Sequence, residues 1–188
     1  MEQWPEIETA VRSSDPDQVN DAIDRIEGMD REQRFRLFDA GFENLASIYR
    51  ESADGYVRQS VVRTVDALSP GLPVAVALAE DGDTEETRAA IERRLDAATG
   101  FLIEAIQDED GRVRQSATRA LKDAYRGYEA LEDTDTVAAL AAELGELAEE
   151  YDDKRHDHLL ESKEDAEFFL RPAGTRMIEN IRRMAEDR

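Results

Sequence analysis

The sequence predicts an all-α fold of stacked helix pairs, on three observations. Apolar residues recur at steps of three and four, no segment alternates as a strand would, and a ten-residue phrase recurs at the head of helical stretches. The 188 residues suit one domain over 1–188. Eleven helices are expected, near 3–13, 16–28, 31–52, 55–69, 72–81, 84–97, 99–108, 111–128, 134–151, 157–170 and 172–187.

The second helix opens on Asp15-Pro16, an N-cap followed by proline at the first helical position, where its missing N–H costs nothing. The third carries Phe35, Phe38, Phe42, Leu45 and Tyr49 on one stripe. In 55–69, Val57, Val61, Val65 and Leu68 share a face; Ser69-Pro70-Gly71 then turns the chain, and Leu72-Pro73 opens the next helix. In 111–128 the shared face is Val113, Ala117, Leu121 and Ala124, and in 134–151 it is Val137, Leu140, Leu144, Leu147 and Tyr151. Pro172 separates the last two helices.

Residues 54–63 and 110–119 are identical at seven of ten positions, Asp-Gly-x-Val-Arg-Gln-Ser-x-x-Arg. A weaker copy, Glu86-Thr87-Arg88-Ala89-Ala90, lies between them, so Val57-Arg58, Thr87-Arg88 and Val113-Arg114 are spaced by 30 and 26 residues. Each copy follows an acidic, glycine-bearing turn, and Asp15-Pro16-Asp17-Gln18-Val19 echoes it. The pattern resembles HEAT repeats, in particular the short HEAT-like repeats of the phycobilisome-lyase type, in which an Asp turn precedes Val-Arg at the start of the second helix of a pair. The resemblance is clearest over 53–125; the acidic C-terminal helices over 130–188 are atypical. It implies a right-handed α-solenoid, with Asp54, Val57, Arg58, Arg88, Asp110, Val113 and Arg114 as repeat-structural residues. Physics agrees, because an amphipathic helix pair cannot bury its apolar face alone and stacking supplies the core.

Charge narrows the function. Asp and Glu number 45 against 24 Lys and Arg, a net charge of −21. That opposes nucleic-acid binding, which needs a cationic face. A HEAT-like DNA-repair glycosylase would further need a basic groove and stacking aromatics, and Trp4 is the only tryptophan. Without cysteine there is no disulfide, thiolate nucleophile or Cys zinc site. No apolar run approaches the roughly 18 residues of a membrane helix, and Met-Glu-Gln-Trp-Pro-Glu is no signal peptide, so a cytoplasmic protein without membrane contact is expected. Of the cations only Lys122, Lys154 and Lys163 are lysine. An acidic, lysine-poor surface resembles proteins of salt-accumulating halophiles, where molar salt screens carboxylate repulsion to about 3 Å.

The repeat sets up two arginine rows. Arg58, Arg88 and Arg114 are expected to pair with turn carboxylates such as Asp54, Asp83 and Asp110, tying repeats together. Arg63, Arg93 and Arg119, flanked by Gln59 and Gln115, form the second row and are the candidate partner-binding residues. Asp66, Asp96 and Asp123 lie one turn on, at spacings that favour a self-neutralised ladder. Asp152, His156 and His158 are weak metal candidates, since the two imidazoles fall on opposite sides of a helix; a solvated acidic connection is the leading reading. Segment 129–167 sets 15 acids against Lys154, Arg155 and Lys163, either a solvated face or a dock for a basic partner. No phosphate loop or nucleophile elbow is present. The expectation is a non-catalytic scaffold without cofactor that binds another protein. The alternative is an enzyme or enzyme accessory resembling the phycobilisome-lyase proteins.

Overall fold

The structure, a computed structural model, describes residues 4–69, 85–172 and 174–176. Among these every long element is a helix: α1 Trp4–Arg12, α2 Pro16–Glu27, α3 Arg31–Glu51, α4 Gly55–Leu68, α5 Glu85–Ala105, α6 Gly111–Ala130, α7 Thr134–Ala148 and α8 Lys154–Leu170. No helix among the described residues is long and apolar enough to cross a membrane.

The helix starts are written locally. Asp15, Asp54, Asp110 and Asp153 precede α2, α4, α6 and α8 in extended backbone. Each carboxylate accepts the N–H of the residue two positions on, at 3.0, 2.8, 2.9 and 2.8 Å. A capping box of Asp30 and Gln33 opens α3. Ser14, at φ 55°, turns α1 into α2, and its hydroxyl donates to Asp54 at 3.0 Å, joining two successive turns.

The helices form four pairs: α1 with α2, α3 with α4, α5 with α6 and α7 with α8. The second members lie side by side, α2 on α4, α4 on α6 and α6 on α8. Cross-contacts fix their direction. Along each seam one contact lies near the helix starts and one further in, Ser14–Asp54 then Asn20–Arg63, Gly55–Asp110 then Gln59–Ser116, and Thr118–His158 then Tyr125–Ser162, so the four run the same way. Their capped N-termini therefore share one edge. The first members make the other layer: α1 packs on α3, and α3 reaches α5 through Phe42 and Tyr49, whose rings meet Phe101 edge-on at 6.2 and 5.1 Å, and through Arg50–Glu104 at 2.7 Å. Between the layers one continuous apolar core runs from Ile7 to Ala166, with Leu45, Val61, Leu95, Leu102, Val113, Leu121 and Leu144 essentially sealed from solvent. Burial of such side chains contributes roughly 1.5–3 kcal/mol each.

Four expectations change. The helices placed at 84–97 and 99–108 are one, α5. The helix runs on through residue 98 and through Gly100, since a mid-helix glycine costs only about 1 kcal/mol and Ala98, Phe101 and Leu102 around it are buried. Consequently Thr87-Arg88 lies at the start of a first helix rather than opening a second one, and the two strong copies, at α4 and α6, are direct neighbours. The helix from 157 starts at Lys154, where Asp153 caps it. The helix at 134–151 stops at Ala148. The helix expected at 72–81, and residues 173 and 177–187 of the one expected at 172–187, lie outside the described residues; 174–176 are helical.

Candidate functional site

The first arginine row is structural, but its partner differs from the one expected. Arg58 donates through Nε and Nη2 to the two oxygens of Asp108, at 2.8 and 2.9 Å, and through Nη1 to the Ser52 carbonyl at 3.0 Å. Asp108 also accepts the Tyr49 hydroxyl and the Asp110 N–H, both at 2.7 Å. Burial pushes the Asp108 carboxyl up, yet these hydrogen bonds, Arg58's foremost, hold it below the usual carboxylate range. The pair thus ties the second helix pair to the turn of the third. Asp54 and Asp110 are used as caps, and Asp110 also holds Arg112 at 2.7 Å, so neither takes Arg58. Asp83 lies outside the described residues. Arg114 repeats only half of the arrangement: its Nη1 donates to the Asp108 and Glu109 carbonyls at 2.7 and 2.9 Å. Arg88 donates to the Leu131 carbonyl beyond α6. Val57 and Val113 are buried.

The second row converges where the sequence placed it, with one exception. Gln59 and Arg63 from α4 and Gln115 and Arg119 from α6 line a single cleft of about 300 Å³, with Ile23 and Glu27 from α2, Asp66, Ala67 and Ser116 completing the wall. Arg93 does not line it. It lies exposed on α5, because that helix belongs to the other layer.

Within the cleft the expected ladder of ion pairs along each helix does not form. Arg63 donates instead to Asn20 Oδ1 across the α2–α4 seam at 2.8 Å. Asp123 pairs with Arg126, and Asp96 accepts the Tyr128 hydroxyl at 2.8 Å. Asp66 is left half-buried. Burial and the neighbouring Asp123 push its carboxyl up to about 7; Arg119 offsets part of this and Glu27 adds to it. The Gln59 amide donates to Ser116 Oγ at 3.3 Å, lacing α4 to α6 behind the arginines.

The histidines separate as the helix dictates. His156 Nδ1 lies 2.8 Å from the Ala148 carbonyl, whereas His158 faces Thr118 on α6 at 3.4 Å. Burial, then Arg114, push the His158 pKa down. Among the described residues no three His, Asp or Glu side chains converge as a metal set, so Asp152, His156 and His158 do not form one.

Asp66 was visible in the sequence only as a salt-bridge mate for Arg63. Ile23 was visible only as part of the apolar pattern behind the Asp15-Pro16 echo, and Asn20 and Glu27 carried no signal, because their place beside α4 depends on how α2 stacks. Asp108 was visible as part of an acidic turn, but its partner lies 50 residues earlier. Comparison with family models, curated proteins and solved structures returns no match.

Proposed function

We propose that this chain is a non-catalytic protein-interaction module, built of HEAT-like helix pairs in a right-handed solenoid and working in a cytoplasm of high salt. Its second-helix layer takes the protein partner along the cleft between α2, α4 and α6. The observation that carries the reading is the convergence of Gln59, Arg63, Gln115 and Arg119, equivalent positions of two repeats, on one concave surface. Guanidinium forks pair bidentately with carboxylates, which suits a partner presenting Asp and Glu. The acidic, lysine-poor composition supports the high-salt setting, because there the long-range repulsion of such a partner is screened.

A pull-down from native cells in molar KCl tests this. Arg63→Ser/Arg119→Ser should lose the partner recovered by wild type, while Arg93→Ser should keep it, with helicity and melting temperature matched across all three. Equal recovery by the double variant would remove the cleft from the interaction.

A further inference from the structure

We propose that the cleft is a carboxylate-binding site that takes up its ligand together with a proton on Asp66. The inference rests on the reading above, and the ligand group is a Glu or Asp side chain of the protein partner.

The cations in the cleft are not spent on internal acids. Arg50, Arg58, Arg112 and Arg155 each hold a carboxylate within the chain. Arg63 holds only the neutral Asn20 amide, and Arg119, at the equivalent position one repeat on, stands exposed at the rim. Two forks on parallel neighbouring helices thus face one cleft with Gln59 and Gln115 one turn earlier, a donor set for a carboxylate.

Asp66 sets the condition for entry. The charged groups around it are Glu27 from α2, Arg63 on its own helix, and Arg119 and Asp123 from α6, the last already paired with Arg126. No charged residue of α1, α3 or α5 lines the cleft among the described residues. With Asp66 ionised, the two lining acids balance the two arginines. With Asp66 protonated the lining carries a net positive charge, and the former competitor becomes a hydrogen-bond donor to the incoming carboxylate. Its carboxyl already sits near neutrality for the reasons given. A ligand carboxylate beside it raises its proton affinity further, since two like charges cannot share the site cheaply. By linkage the affinity is full below neutrality and falls as pH rises through it. A basic ligand side chain would show the opposite slope, because it would be drawn to ionised Asp66 and Glu27 and would expel the proton.

Fluorescence anisotropy with labelled, end-blocked hexaglutamate tests the proposal, with hexaglutamine and hexalysine as controls, at one fixed KCl concentration from about pH 6 to about pH 9. Wild type should bind hexaglutamate with an affinity that weakens above neutrality by up to about tenfold per pH unit, one proton's worth. Asp66→Asn, a neutral isostere of the protonated acid, should bind without that slope and more tightly than wild type in the alkaline range. Arg63→Ser/Arg119→Ser should not bind. A wild-type slope retained in Asp66→Asn, equal binding of hexaglutamine, tighter binding of hexalysine, or no binding of hexaglutamate would each overturn the proposal. None of these outcomes touches the interaction face itself, which the pull-down with the arginine variants decides. Partner capture that depends on the arginines but not on pH would overturn the proton coupling and leave that face standing.

Discussion

Asp108 shows how much one side chain does in this array. Its two oxygens receive four hydrogen bonds, from Arg58 twice, Tyr49 and the Asp110 N–H, so a buried ion pair is fully satisfied and spans two helix pairs. Asp108→Ala takes the buried counter-charge from the Arg58 guanidinium, leaving it the exposed Glu109 carboxylate at 3.4 Å, and should cost about 3 kcal/mol in denaturant unfolding. Arg58→Met/Asp108→Leu should recover most of that loss, because two apolar groups need no partner. An unfolding midpoint unchanged in Asp108→Ala would show that the pair carries no stability. The pH sign follows from a folded-state carboxyl held below its usual range. The contribution is present above the ordinary carboxylate pKa of about 4 and is lost as pH falls through the lower folded value. The repeat made Arg58 legible as a tie. Its partner was not legible, because sequence proximity favoured Asp54 and only the stacking of turns brings Asp108 into reach.

At the scale of elements, the two copies of the repeat provide their own control. A Cβ added at Gly55 would lie 1.9 Å from Oδ2 of Asp110, the residue that caps α6, so Gly55→Ala must displace that cap. The same change at Gly111 meets nothing closer than Arg114 Nη2 at 3.5 Å. Thermal melts should therefore separate identical substitutions at matched positions. Gly55→Ala should lose about 1–2 kcal/mol, and Gly111→Ala should be neutral or gain up to about 1 kcal/mol from reduced unfolded-state entropy. Matching shifts for the two would mean that the turns do not stack as described. Helix starts were readable because Asp caps act within two residues. The continuity of α5 was not, because it depends on Ala98, Phe101 and Leu102 finding a core on both sides of Gly100.

Across the whole molecule the governing quantity is the net charge of −21, concentrated in 129–167, which runs from the end of α6 through α7 and most of α8. Like charges at this density repel most where the screening length is long, about 30 Å at 0.01 M against about 3 Å at 1 M. Molar KCl should therefore raise the melting temperature markedly over dilute buffer, and a flat response would remove the high-salt reading. The all-helical class, the Asp caps, the buried valines and leucines of α4 and α6, and the presence of Gln59, Arg63, Gln115 and Arg119 on one face were all decided by the sequence. These depend on neighbours three or four residues away, or on a phrase written twice. The tertiary structure alone decided that α4 and α6 are adjacent while α5 faces the other layer, that Arg93 leaves the row, that Asp108 rather than a capping aspartate takes Arg58, and that Glu27 and Asp66 meet the two arginines in one cleft. Such contacts depend on residues far apart in the chain, and helix stacking, not local periodicity, sets which faces meet.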